Sequence, residues 1–201
     1  MPDWDLLLTD ASIATLGADL PGYGEISDGA LAIAGGRIAW VGPQADLPSG
    51  VAAKTRSVSG RWLTPALIDC HTHLVFAGER SGEFEQRLNG ASYEEIAKAG
   101  GGILSTVRAT RDTSPDELFD AALPRVRALL AEGVATVEIK SGYGLDVDNE
   151  LKMLEVARRL GESSGVSVCT TLLAAHAVPP EFQGRADDYV DLICDNLLPE
   201  V

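Results

Sequence analysis

The chain has 201 residues, of which 45% are apolar and 23% charged, a balance typical of globular proteins rather than disordered or fibrous ones. Acidic residues outnumber basic ones 30 to 16, and the net charge of −14 argues against nucleic acid as a partner. No apolar run reaches the ~18 residues that a membrane-spanning helix needs, and the acidic start of the chain does not resemble a secretory signal, so we expect no membrane partner.

The first sixty residues have the pattern of short strands separated by turns. Four runs, each apolar or alternating, are bounded by glycine, proline and aspartate: WDLLLTD, ASIATLG, GALAIA and RIAWVG. Gly35 and Gly36, between the last two runs, suit the positive φ angles of a tight hairpin turn. We predict a small β-module that needs a partner sheet to complete its core.

After Pro65 the pattern becomes an alternation of strands and helices. Three apolar runs predict strands: ALIDCHTHLVF, VATVEIKS and VSVCTTLLAAH. Five segments predict helices: 92–99, 103–110, 114–132, 146–163 and 186–197. Ser92 with Glu95 forms a capping-box pattern, and Ser114 is the N-cap of the longest helix, in which Pro124 predicts a kink or a break.

This alternation indicates parallel strands in an α/β fold. A (β/α)8 barrel takes roughly 250 residues for its eight units, so the residues after Pro65 provide about three units and the start of a fourth. Two architectures remain open from the pattern alone, a small open sheet and the first part of a barrel.

The sequence Asp69-Cys70-His71-Thr72-His73 is the strongest chemical signal. Residues two apart on a strand share a face, so His71 and His73 can converge on one divalent ion. Their place at the C-terminal end of a predicted strand is where parallel α/β enzymes keep their chemistry. The alternative is a chance pairing, or two core histidines bonded to carbonyl groups.

Other candidate residues also follow predicted strands. His176, the third of only three histidines, could be a metal ligand, a proton donor, a substrate-binding group or a structural cap. Tyr143 is flanked by two glycines that give the backbone room to present its ring. Lys140 ends a strand, where some hydrolases carry a metal-bridging carbamylated lysine. Arg80, on the loop after the first of these strands, could clamp a carboxylate bidentately or simply be solvated.

The three cysteines predict a reducing compartment. Cys70, Cys169 and Cys194 are an odd number and lie among apolar neighbours, which favours buried, reduced thiols over a disulfide framework. We therefore expect a cytoplasmic location.

Four motifs, in order along the chain, resemble the imidazolonepropionase family of the amidohydrolase superfamily. They are TPALIDCHTHLVFAGER, YEEIAKAGGGILSTVRATR, EIKSGYGL and LLAAHAVPPEF. The resemblance implies that residues 1–62 are strands of an incomplete β-sandwich. It implies that residues 63–201 are the first part of a TIM-like (β/α)8 barrel, which favours the barrel over the open sheet. The implied reaction is hydrolysis of the cyclic amide 4-imidazolone-5-propanoate to N-formimino-L-glutamate, a step of histidine degradation.

The resemblance also implies roles for individual residues. His71 and His73 would bind one zinc or iron ion, so Lys140 would not be a carbamylated bridge. Four residues would contact the substrate, with the arginine pairing with the propanoate carboxylate: Arg80, Tyr93, Tyr143 and His176. Family members are about twice as long, so the other metal ligands and the glutamate that activates water are expected beyond Val201.

Two alternatives remain. One is another cyclic-amide hydrolase or aminohydrolase of the same superfamily, against which SGYGL and AAHAVP argue. The other is a catalytically inactive fragment that binds a metal or a ligand. The expected partners are a small-molecule substrate and further copies of the chain in a homo-oligomer, because a half-barrel leaves a strand edge unpaired.

Overall fold

The computed structural model describes residues 3–92, 95–96 and 100–201. The chain divides into two compact units, Met1–Pro65 and Ala66–Val201, which are described separately below. None of the helices in the described ranges is both long and apolar enough to cross a membrane.

The first unit is a mostly antiparallel sheet. Its strands are β1 (Leu6–Ala14), β2 (Glu25–Ala34), β3 (Arg37–Pro43), β4 (Thr55–Ser57) and β5 (Trp62–Leu63). The order is β3-β2-β1-β4, and β5 pairs with β1. Strands β1, β2 and β3 are joined as antiparallel neighbours, whereas β4 and β5 run parallel to β1. Trp4, Leu7, Ala30 and Ala32 form its buried cluster.

Of two turns predicted in this sheet, one is confirmed and the other is wrong. Gly35 and Gly36 have φ angles of 56° and 72° and connect β2 to β3, as the hairpin prediction required. The prediction of separate strands for WDLLLTD and ASIATLG is wrong, because β1 continues through both. Asp10 adopts a φ of 54° at an irregularity in the register, and its backbone N–H donates to Gln44 Oε1 at 2.8 Å, so the strand continues through the irregularity without ending.

The second unit is a parallel sheet with helices. The strands β6 (Leu67–Thr72), β7 (Val134–Lys140) and β8 (Ser167–Thr171) lie in the order β6-β7-β8. Five α-helices have bounds that the structure describes: α1 (Ser81–Leu88), α2 (Ile103–Asp112), α3 (Pro115–Ala131), α4 (Val147–Ser164) and α5 (Ala186–Leu192). The chain is therefore an α/β fold with parallel strands in its second unit.

The ends of the helices follow local sequence signals. Ser114 caps α3 in a reciprocal capping box with Glu117, and Asp146 caps α4 by accepting from the Asn149 backbone N–H. Helix α4 ends at Gly165, whose φ of 76° lies in the left-handed region. Of the predicted helix 92–99, Ser92 and Glu95 form the expected capping box, and residues 93–94 and 97–99 lie outside the described residues.

Pro124 does not break α3. The helix continues across it as one 17-residue element. Proline removes the hydrogen bond to the carbonyl four residues earlier, which belongs to Asp120. Both Pro124 and Asp120 are exposed, so water can satisfy that carbonyl.

One face of β7 packs against α3 and α4. Val137 and Ile139 are buried there, together with side chains of both helices: Leu118, Ala122, Val126, Met153, Val156, Ala157 and Leu160. The opposite face of β7, which carries Glu138, is more exposed to solvent. Cys169 pairs in register with Glu138 and is exposed, as are Cys70 and Cys194. The three thiols are free, but the expectation that they are buried is wrong.

Candidate functional site

The candidate site lies where β6, β7 and β8 end. Strand β6 ends at Thr72, so His71 belongs to the strand and His73 follows it. The ring centroids of His71 and His73 are 5.6 Å apart. The His73 ring is also 5.2 Å from that of Tyr143 and 5.3 Å from that of His176. Four of the candidate side chains, from three segments of the chain, therefore meet around His73.

His73 is kept in its neutral form by its surroundings. Burial is the first cause that lowers the pKa of this imidazole, followed by the electrostatic influence of the neighbouring His176, His71 and Lys140. Its Nδ1 atom is buried and has no hydrogen-bond partner among the described residues. A neutral imidazole is the form that binds a metal ion. The surroundings of His73 therefore favour the neutral imidazole, which can bind a metal ion, over the charged imidazolium, which cannot.

The residues present fit a metal ion in part. Two neighbouring imidazoles, one with an unpartnered buried nitrogen, are suitable donors for zinc or iron. Within residues 3–92, 95–96 and 100–201, no group of three or more His, Cys, Asp or Glu side chains could hold a metal. His71 and His73 thus provide two ligands of a site that needs more.

His176 is placed by a turn and not by a strand. The prediction that VSVCTTLLAAH is one strand is wrong, because β8 ends at Thr171 and residues Ala174–His176 form a short 3-10 turn. The Ser141 hydroxyl accepts the Leu173 backbone N–H at 2.9 Å, and the Ser141 N–H donates to the Thr171 carbonyl at 3.0 Å. These two bonds bend the chain away from the sheet and bring His176 beside Tyr143.

Tyr143 lies on the loop between β7 and α4. Gly142 has a φ of 108°, a conformation that favours glycine, and Gly144 approaches the backbone of α4 closely. The Tyr143 phenol has a raised pKa, first because it is buried, with the positive charge of Arg80 acting in the opposite direction. The tyrosine is therefore a neutral hydroxyl at the site.

Sequence reasoning missed the residues that hold this loop. Glu150 is fully buried, and its carboxylate accepts the backbone N–H groups of Gly142, Gly144 and Leu145. Arg111 donates to the carbonyls of Gly144 and Leu145. The signal that could have indicated Glu150 is an acidic residue in the first turn of a helix that follows a glycine-containing loop.

Lys140 has a carboxylate partner on its own strand. Its ammonium group forms an ion pair with Glu138, whose carboxylate also accepts the Thr171 hydroxyl at 2.6 Å. The hydrogen bond from Lys140 is the first cause that lowers the pKa of Glu138, and that from Thr171 the second. One oxygen of Glu138, Oε2, is buried without a hydrogen-bond partner among the described residues. Lys140 and Glu138 are thus paired with each other on one face of β7.

Arg80 lies beside a cavity that reaches Tyr143. The cavity has a volume of about 590 Å³, and its lining includes Phe76, Arg80, Phe84, Arg125 and Tyr143. Arg80 precedes α1, and its side chain is 44% exposed. Its Nε atom contacts Glu83 Oε2 at 2.7 Å, and the other oxygen of Glu83 accepts the Gly102 N–H at 2.9 Å. The Arg80 guanidinium is therefore anchored through Nε.

The cavity contains a second arginine that the sequence did not indicate. The Arg125 guanidinium lies 3.8 Å from the centroid of the Phe76 ring and donates to the Leu74 carbonyl at 2.8 Å. It therefore supports the wall next to Tyr143. Tyr93, the remaining candidate, lies outside the described residues.

Comparison with known proteins finds relatives that belong to one enzyme family, the imidazolonepropionases. An imidazolonepropionase from Ralstonia nicotianae is 64% identical over 98% of this chain and 48% of its own length. One from Caulobacter vibrioides is 58% identical over 98% of this chain and 49% of its own length. A family model described as an imidazolonepropionase-like composite domain of bacteria matches residues 29–49. The chain spans about half the length of the curated relatives it matches.

Solved structures support the fold. A triazine hydrolase of Arthrobacter aurescens has a TM-score of 0.56 at 18% identity, over 83% of this chain and 35% of its own. An atrazine chlorohydrolase of Arthrobacter aurescens TC1, solved with zinc, has a TM-score of 0.53 at 16% identity, over 95% of this chain and 43% of its own. At these identities the likeness concerns the fold alone.

Proposed function

We propose that this chain has the function of the imidazolonepropionase family. Its sequence corresponds to the N-terminal half of the members of that family. The function is the metal-dependent hydrolysis of 4-imidazolone-5-propanoate to N-formimino-L-glutamate, with this chain contributing the substrate-binding side of the site. The observation that carries the proposal is the position of His73, whose ring lies within 5.3 Å of both Tyr143 and His176.

The metal would be held by His71 and His73. Zinc or iron bound there would polarise the ring carbonyl of the substrate and lower the pKa of a bound water molecule. The side chains supply the remaining selectivity. Tyr143 and His176 lie next to His73, where they can contact the imidazolone ring. We assign the general base to no residue of this chain.

Arg80 would bind the propanoate group of the substrate. Its Nε is anchored by Glu83, which turns the guanidinium into a fixed donor at the edge of the cavity that Tyr143 also lines. A guanidinium binds a carboxylate through two parallel N–H donors, which gives orientation as well as affinity. We add Tyr93 to this group on the sequence motif alone.

The proposed architecture is the first part of a TIM-like (β/α)8 barrel, residues 63–201, preceded by β-sandwich strands in residues 1–62. The order β6-β7-β8 with helices after each strand supports the barrel segment. The likeness to the triazine hydrolase and atrazine chlorohydrolase folds supports it as well. We further propose a homo-oligomer, and a cytoplasmic location that agrees with three free thiols.

The test is an assay of the protein that carries this sequence, loaded with zinc or iron, against 4-imidazolone-5-propanoate. We expect formation of N-formimino-L-glutamate, and its loss in His73→Ala. Cys194→Ser, at an exposed free thiol, is the control and should retain full activity. If the purified, metal-loaded protein left this substrate intact and hydrolysed a different cyclic amide, the substrate assignment would be wrong.

A further inference from the structure

The loop that carries Tyr143 is built around a buried carboxylate. Glu150 has no exposed surface, and three backbone N–H groups donate to it: Gly142 at 3.0 Å, Gly144 at 2.7 Å and Leu145 at 2.8 Å. A carboxylate is costly to bury unless hydrogen bonds replace its lost water. The loop supplies those bonds, so the loop conformation and the buried carboxylate depend on each other.

A second side chain holds the same peptide groups from their carbonyl side. Arg111 Nε donates to the Gly144 carbonyl at 2.6 Å, and Nη2 donates to that of Leu145 at 3.1 Å. Leu145 is a buried non-glycine residue with a φ of 54°. Such a conformation costs free energy and persists only where the surroundings fix it. The paired contacts from Glu150 and Arg111 fix it here.

The clamped loop controls the positions of two candidate substrate contacts. Tyr143 lies between Gly142 and Gly144, whose N–H groups both bind Glu150. A Cβ atom on Gly142 would lie 3.1 Å from the Cβ of His176, so the Gly142 backbone approaches that histidine too closely to leave room for a side chain. A displacement of the loop would therefore move Tyr143 and His176 together, relative to His73.

We propose that Glu150 is a positioning residue of this site, which fixes Tyr143 through the flanking Gly142 and Gly144, and His176 through Gly142. It does not touch the substrate. The part of the proposal that concerns turnover rests on the proposed function, whereas the part that concerns the loop does not.

The test compares Glu150→Gln with Glu155→Gln in the protein that carries this sequence. Both substitutions remove one negative charge from α4, but Glu155 is exposed. In Glu150→Gln, an amide NH2 group replaces one of the two carboxylate oxygens. The NH2 group faces a backbone N–H donor and cannot accept its hydrogen bond. Losing one charged hydrogen bond predicts about tenfold or faster amide exchange in peptides covering 141–146 and 173–177. We expect kcat/KM of Glu150→Gln to fall about tenfold or more at unchanged metal content. In Glu155→Gln, we expect the amide exchange rates and kcat/KM to stay within about twofold of wild type.

A purely structural role gives a different result. It would lower the unfolding temperature of Glu150→Gln and leave kcat/KM per folded molecule within about twofold of wild type. That result, or unchanged exchange in the two peptides, would overturn the proposal. If Glu150→Gln does not fold, Glu150→Asp decides in the same way, because it keeps the carboxylate but shortens the side chain that reaches the N–H groups of the loop. If the wild-type protein is inactive on 4-imidazolone-5-propanoate, the proposed function fails, and the exchange in 141–146 and 173–177 still decides whether Glu150 holds the loop.

Discussion

The backbone of Gly142 approaches the side chain of His176 so closely that no Cβ atom fits between them. A Cβ atom added at Gly142 would be 3.1 Å from the His176 Cβ and 3.0 Å from the Leu173 carbonyl oxygen. This contact joins the loop after β7 to the turn after β8. It is the point at which the positions of Tyr143 and His176 become dependent on each other.

Gly142→Ala should therefore be more harmful than an ordinary glycine substitution. The φ of 108° already strains any residue with a Cβ atom, and the new methyl group meets His176 as well. Gly184→Ala is the matched control, because its φ of 77° is also positive and no atom lies within 4 Å of the added Cβ. We expect Gly142→Ala to cost about 1–3 kcal/mol more than the control in urea unfolding. Equal costs would contradict the contact.

Thr171→Val should reduce the dependence of stability on acid. The pKa of Glu138 is lowered in the folded protein, first by Lys140 and then by Thr171. A carboxyl group with a lowered pKa in the folded state stabilises the fold at pH values above its ordinary pKa of 4.5. This contribution is lost as the pH falls through the pKa of the folded state. Removing the Thr171 hydroxyl raises the pKa of Glu138, so the loss of stability between neutral and acidic pH becomes smaller.

Urea unfolding at several pH values measures this effect. Thr170→Val is the control, because Thr170 pairs with Ile139 on the opposite face of the sheet. The prediction fails if Thr171→Val and the wild type lose the same free energy of unfolding on acidification.

Ser114→Ala should destabilise the second unit through the start of α3. The Ser114 hydroxyl accepts the Glu117 N–H at 3.3 Å, and the Glu117 carboxylate accepts the Ser114 N–H at 3.0 Å. Loss of an N-cap of this type costs about 1 kcal/mol. Chemical denaturation should show that cost for Ser114→Ala and a change near zero for Ser163→Ala, which lies exposed in α4. Equal stabilities of the two variants would contradict the capping role.

Local signals explain which parts of the fold could be predicted from the sequence. The caps at Ser114 and Asp146 and the turn at Gly35-Gly36 act through neighbours in the chain, so the sequence pattern contains them. The extent of β8 could not be predicted. The apolar run continues past Thr171, but the bonds of Ser141, which lies on another segment, turn the chain.

The candidate site shows the same division. His73, Tyr143 and His176 each follow an apolar run that leads to a strand end, and the carboxyl ends of parallel strands meet at one edge of a sheet, so their convergence could be predicted. The role of Arg111 could not be. Arg111 and the Gly144 carbonyl that it binds are 33 residues apart, and that pairing depends on how the helices pack.

Zinc binding by the 201-residue chain should be weak and reversible by a chelator. His71 and His73 provide two ligands, whereas a stable zinc site has about four. Equilibrium dialysis with metal analysis should show binding by the wild type, its loss in His71→Ala and its retention in His176→Ala. Tight, stoichiometric zinc in the double variant of His71 and His73 would remove these residues as the site.

The most direct test of the whole account is the effect of Arg80→Lys on kcat/KM in the protein that carries this sequence, measured with 4-imidazolone-5-propanoate and with an analogue that lacks the carboxylate. Lysine keeps the charge but loses the two-donor contact, and the loss of one charged bond costs about 1.5–3 kcal/mol. We predict a fall of about tenfold to a hundredfold with the native substrate, almost no change with the analogue, and unchanged metal content. A kcat/KM within about twofold of wild type, or an equal fall with both substrates, would contradict the account.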